Sequence, residues 1–336
     1  MDLKYKSNLE ILKKIAKEGG IEKFWLGGSI TYYQTAKNMG IIFDCKDYDL
    51  AIKGNKKEYI LIKQKLKEHG FKIIKSRPYY LKLKKAFQII AEKKSIHLDI
   101  AIVNELSYLG HFNFECIFWH FPSGEIYDPY NALKAIRQKE LIPIISPSNE
   151  NPFILTSRFV KLCARFDIDF ISNKYLYAFA KKLAKSIKEW KATDSFHGKY
   201  AKGHGYFGMI QAILRSKKRK VFIERLQKSG ILNAMFPEVS KKLKISNDLI
   251  KWIETAKSPE DVVRCLQHFL KDDKKKLHCL NRRLKLISNR LEKRYVNNNK
   301  EKLLNRLLSS NNIGGRKTKY KNVIRRIVKY GRKSEN

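Results

Sequence analysis

The sequence predicts an α+β chain, with strands and helices mixed as far as residue 146 and helices alone beyond it. Three observations predict this. Short β-rich runs alternate with amphipathic stretches in the first part. Pro143, Pro147 and Pro152, with Ser148, Asn149, Glu150 and Asn151, then mark a boundary. Past it, apolar residues recur at helical spacing over 152–166, 171–190, 205–215, 219–229 and 247–256.

Leu9, Leu12, Ile15 and Ala16 predict a helix over 7–18, stopped by Gly19-Gly20. Ile21 to Leu26 reads as a buried strand entering the turn Gly27-Gly28-Ser29, and 29–39 as the helix that follows. The next strand runs from Asp47 to Lys53, and a basic amphipathic helix over 56–69 is closed by Gly70. From Phe71 to Val103 come several β-rich runs, with Arg77-Pro78 as a break. Asn113 to Phe121 and Glu125 to Tyr127 complete the strands, either side of the turn Pro122-Ser123-Gly124. Asp128 is placed to cap the helix begun near Tyr130. Residues 191–205, rich in Gly, His and Lys, read as a loop, and 297–299 and 309–312 as linkers. The predicted division is 1–146, 147–258 and a basic helical segment over 259–336.

The 336 residues are 43% hydrophobic, enough to bury real cores and to exclude a disordered chain. Lys and Arg number 71 against 32 Asp and Glu, a formal charge of +39. A field of that size calls for a polyanionic partner, most commonly nucleic acid. Residues 271–336 hold 22 basic and 5 acidic residues, a net of +17. Cys45, Cys116, Cys163, Cys265 and Cys279 are scattered and odd in number, which predicts free thiols in a reducing compartment such as the cytoplasm or an organelle matrix. His278 and Cys279 are adjacent, a poor zinc spacing with Cys265 and His268. No uncharged run approaches a membrane span, and the first residues lack a secretory apolar core.

Asp47 and Asp49 lie two apart on a strand and so share a face. Paired carboxylates hold hard divalent cations against a triphosphate. Upstream, the backbone amides of Gly27, Gly28 and Ser29 open a helix, where they suit phosphates. Asp99 sits alone among apolar residues in Ile96–Val103 and is the candidate third acid. Together these read as the metal site of a nucleotidyltransferase using two Mg²⁺ ions.

At these residues the chain resembles the class II tRNA nucleotidyltransferases (CCA-adding enzymes) and bacterial poly(A) polymerases. The resemblance rests on Gly27-Gly28-Ser29 through Asp47-Tyr48-Asp49, then Gly124 to Leu133, Arg158 to Phe166, and Leu226 to Glu238, in the family's order. It implies a polymerase-β-like head, a helical neck and a basic RNA-binding body. It further implies addition of nucleotides from a nucleoside triphosphate, ATP or CTP, to the 3′ end of tRNA or another structured RNA.

Several motifs depart from the family's. Thr31-Tyr32 stands where the family has Arg-Asp near the triphosphate. Leu109-Gly110-His111 aligns with its ribose-reading Arg-Arg-Asp, and Glu150 to Ile154 with its base-reading Glu-Asp-x-x-Arg. Arg158, one turn beyond Ile154, is the candidate substitute, and Lys161 and Arg165 share its helix face. The candidate nucleotide-binding set is therefore Gly27, Gly28, Ser29, His111, Asn151, Arg158 and Lys161. His111 reads first as a core histidine and only second as a nucleotide contact, and the basic helix face reads equally as a solvated stripe. Candidate RNA contacts are Lys217, Lys218, Arg219, Lys220, Arg282, Arg283, Arg316, Lys317 and Lys319. Tyr320 and Tyr330 are candidates to stack on bases. Two other functions fit the same residues: a non-catalytic RNA-binding protein on this fold, and a toxin-like nucleotidyltransferase with another acceptor.

Overall fold

The computed structural model describes residues 3–21, 24–43, 48–81, 84–94, 96–120, 123–190, 196–240, 251, 253–270, 273–281 and 283. Asp47, Arg282, Arg316, Lys317, Lys319, Cys45, Tyr320, Tyr330 and the two expected linkers lie outside them. So do residues 247–250 and 252 of the expected helix over 247–256.

The architecture is α+β around a mixed seven-stranded sheet. Its strands are β1 (Phe24–Gly27), β2 (Tyr48–Lys53), β3 (Lys72–Leu81), β4 (Lys84–Lys93), β5 (Ile96–Val103), β6 (Phe118–His120) and β7 (Ile126–Tyr127). They lie in the order β3-β4-β5-β2-β1-β6-β7, with only β2 and β5 parallel. A parallel pair needs a crossover. Between β2 and β5 it runs through α3 (Lys56–Glu68) and the β3–β4 hairpin.

Alternation decides which face is covered. Leu26, Leu50, Ile52, Ile89, Ile100 and Ile102 point to one face, where α1 (Leu3–Glu18) and α3 bring Leu12, Ile15, Ala16, Ile62 and Leu66. Each of these is nearly or wholly inaccessible, at roughly 1.5–3 kcal/mol per large side chain. The other face carries Asp49, Ala51, Asp99 and Ala101, and is covered toward Val103 by Leu106, Cys116 and Phe118.

The helices occur largely where periodicity places them: α2 (Ser29–Asn38), α4 (Ala132–Gln138), α5 (Pro152–Phe166), α6 (Lys174–Glu189), α7 (Phe196–Arg215), α8 (Arg219–Lys228), α9 (Ile231–Met235) and α10 (Pro237–Ser240). One more spans Pro259–Phe269. Asp128 does cap α4, accepting from the Ala132 and Leu133 amides at 2.6 and 3.0 Å.

Three expectations are corrected. Arg77-Pro78 breaks nothing: Pro78 pairs with Phe87 inside β3, where an outermost strand spares its missing N–H. Of the expected strand Asn113 to Phe121, the described residues are strand only over Phe118–His120. Asn113 is fully buried and spends its side chain on the Glu140 carbonyl and the Ile142 amide, which bends the chain into a 3₁₀ turn. Residues 196–205 are helical as the start of α7. The glycines there and just beyond serve close packing on α5: a Cβ on Gly208 would stand 1.9 Å from Ser157 Oγ.

Among the described residues no helix is long and apolar enough to cross a membrane. Cys116, Cys163, Cys265 and Cys279 are free thiols.

Candidate functional site

The parallel pairing of β2 with β5 sets Asp49 directly opposite Asp99. Both side chains leave the same sheet face from neighbouring strands, whose backbones are about 4.8 Å apart. Asp49 is exposed and Asp99 half-buried. On the other side of β2, Gly27 pairs with Asp49. Gln88 of β4 donates its amide to both Asp99 oxygens, at 2.9 and 3.2 Å, which fixes that carboxylate's orientation.

Gly28 has a second constraint besides its turn. Its φ of +70° is left-handed, and a Cβ there would stand 2.0 Å from Asp49 Oδ2. Only glycine lets the turn close on the carboxylate. The turn leads into the N-terminus of α2, where the Thr31 hydroxyl donates to the Gly28 carbonyl at 2.7 Å. The three elements thus place Gly27, Gly28, Ser29, Asp49 and Asp99 together.

These residues suit a hard divalent cation. Their donors are carboxylate oxygens on adjacent strands, and the missing Cβ of Gly28 leaves room at Asp49 Oδ2. Among the described residues no group of three or more His, Cys, Asp or Glu side chains is gathered for a metal. Asp47 is not one of those residues.

A second charged constellation lies at the start of α5. Arg158 donates from Nη1 to Glu115 Oε1 at 2.7 Å. The His111 amide donates to Glu115 Oε2 at 2.9 Å, and the His111 ring meets Glu150 Oε2 at 3.0 Å. Burial alone pushes the Glu115 carboxyl up, but the charge of Arg158, with His111, outweighs it and holds the group far below the usual carboxylate range. Glu150 is also lowered, against the pull of burial, by His111 and by the Asn151 amide. Asp49 is near enough for its charge to add to the hold on the Arg158 proton, after Glu115.

The remaining expected nucleotide contacts distribute as follows. His111 is only 3% exposed, between its two glutamates. Asn151 caps α5, with Oδ1 accepting from Phe153 and Ile154 at 3.0 and 3.4 Å. Lys161 is half-buried on α5. One turn on, Arg165 reaches back to α2, donating to the Tyr32 hydroxyl at 2.8 Å and covering the Phe43 ring at 4.2 Å.

The basic clusters divide in two. Lys217, Lys218 and Lys220 are exposed. Arg219 instead donates to the carbonyls of Leu214, Ile253, Glu254 and Ala256. Arg283 is bound to Glu238 and the Tyr206 hydroxyl, at 2.8 and 2.7 Å. Both guanidiniums serve the fold. Sequence reading missed Gln88, Glu115 and the Tyr32–Arg165 contact. Each depends on a partner 11 to 133 residues away, and no local spacing signals it.

No protein-family model matches the chain, and no curated protein matches its sequence.

Proposed function

We propose that the chain is a template-independent RNA nucleotidyltransferase. It would add nucleotides from a nucleoside triphosphate, ATP or CTP, to the 3′ end of tRNA or another structured RNA in a reducing compartment. One observation carries the reading: Asp49 and Asp99 stand opposite each other, with the Gly28 turn closed on Asp49.

In this reading Asp49 and Asp99, with Asp47, hold two Mg²⁺ ions. When bound, such ions acidify the attacking hydroxyl and stabilise the leaving pyrophosphate. The amides of Gly27, Gly28 and Ser29 meet the β- and γ-phosphates. Gln88 on β4 holds both Asp99 oxygens and so limits how that carboxylate can turn. The RNA 3′-oxygen bonds to the α-phosphorus as the bond to the β-phosphate oxygen breaks and pyrophosphate departs. Exposed Lys217, Lys218 and Lys220 hold RNA phosphates in a salt-dependent way.

The test is 3′ extension of mixed small RNAs by purified protein with Mg²⁺ and each nucleoside triphosphate in turn. Extension should fall about 100-fold or more in Asp49→Ala, since even losing a group that only orients a metal ligand costs 10- to 100-fold. No extension with any nucleotide, beside salt-sensitive RNA binding that Asp49→Ala leaves intact, would instead favour the non-catalytic RNA-binding reading.

A further inference from the structure

The sheet face that carries Asp49 and Asp99 continues into a row of aromatic rings. Trp25 pairs with Ala51 on one side and with His120 on the other. Phe118 pairs with Tyr127. Directly paired residues share a face, and alternate residues return to it. Trp25, Phe118, His120 and Tyr127 therefore all stand on the acid-bearing face. They occupy β1, β6 and β7, the three strands next to β2. At ordinary strand spacing these lie about 5, 10 and 14 Å from β2.

The inner ring of this row is structural. Phe118 is 2% exposed, and a Cβ on Gly27 would come within 3.1 Å of it. The outer rings are less covered: Trp25 and His120 are half-buried, and Tyr127 is 41% exposed. The rings support one another: Trp25 and His120 centroids are 4.7 Å apart, and the Tyr127 ring meets Trp25 at 6.0 Å, edge to face. This aromatic area beside a polar site offers a ligand a flat apolar surface.

The occupant has to suit both a flat aromatic surface and a chain of formal charge +39. A base carried on phosphates suits both: its π-face stacks on the rings, and its phosphates answer the field. We propose that Trp25, His120 and Tyr127 form a stacking shelf for an unpaired nucleobase, on the same sheet face as Asp49 and Asp99. It rests on the nucleotidyltransferase reading for what brings a base there; stacking itself needs no catalysis. The base belongs either to the incoming nucleoside triphosphate or to the single-stranded end of the RNA.

Equilibrium binding by the full chain, without divalent metal, tests this. The probes are a short single-stranded oligoribonucleotide, an abasic oligonucleotide of equal length, and ATP. Tyr127→Ala should weaken either the intact oligonucleotide or ATP by roughly 5- to 100-fold, and the probe affected tells which base stacks. The abasic strand should bind as before, which also shows that the variant is folded. Tyr127→Phe keeps the ring and should match the wild type. Equal binding of every probe by wild type and Tyr127→Ala would overturn the shelf, as would an equal loss for intact and abasic strands. No extension is measured, so the outcome is independent of whether the chain transfers nucleotides.

Discussion

Two pairs of carboxylates are used in opposite ways in this molecule. Asp49 and Asp99 are set side by side by strand register and open onto a sheet face. Glu115 and Glu150 close around a buried histidine, and Glu115 is tied to a guanidinium from α5. The first pair is placed by the pairing of two parallel strands, with Gln88 holding the Asp99 carboxylate. The second pair ties the segment between β5 and β6 to α5 and the turn before it. A carboxylate's chemistry thus depends less on its being an acid than on what fixes its place.

Replacing one member of each pair separates the two roles. Glu115→Gln should lower unfolding free energy by about 2–3 kcal/mol, because it leaves the Arg158 guanidinium without the carboxylate it is paired to. The figure is set below that for a fully buried pair, since the Arg158 side chain is 41% exposed. Asp49→Asn, on an exposed side chain, should change stability by no more than about 0.5 kcal/mol in urea unfolding. If Asp49→Asn proves the more destabilising, the division between the pairs fails.

Acid sharpens the same comparison. The folded state holds Glu115 below its ordinary value. Its contribution is therefore complete above the usual carboxylate range, near pH 4–5, and is lost as pH falls through and below it. Wild-type stability should drop more steeply over that range than the stability of Glu115→Gln. Parallel curves would remove the ion network as the cause.

Gly28→Ala tests the meeting of turn and carboxylate. The left-handed backbone and the 2.0 Å approach to Asp49 Oδ2 should together cost about 1–3 kcal/mol, and extension should suffer with Asp49 displaced. An alanine tolerated in both respects would mean the turn does not shape the site.

What the sequence reveals follows the same divide. The α+β class, most helices, and the placing of Asp49 and Asp99 on one sheet were legible, because each rests on periodicity along a short stretch. Ion pairs such as Arg158 with Glu115 were not, since 43 residues separate them. Glycines misled where they serve packing: residues 196–205 of the expected loop are the start of α7, pressed against α5 at Gly205 and Gly208. Nor could a charge count show that Arg219 and Arg283, candidate RNA contacts, also donate to carbonyls, a carboxylate and a hydroxyl of this chain.

The central claim is that Asp49 and Asp99 act as one cation site. Mn²⁺ binding followed by electron paramagnetic resonance, in wild type, Asp49→Asn and Asp99→Asn, tests it most directly, because Mn²⁺ takes the same hard oxygen donors as Mg²⁺. The account predicts a bound ion in the wild type and an affinity at least about 10-fold weaker in each variant. Equal Mn²⁺ affinity in all three proteins would contradict it.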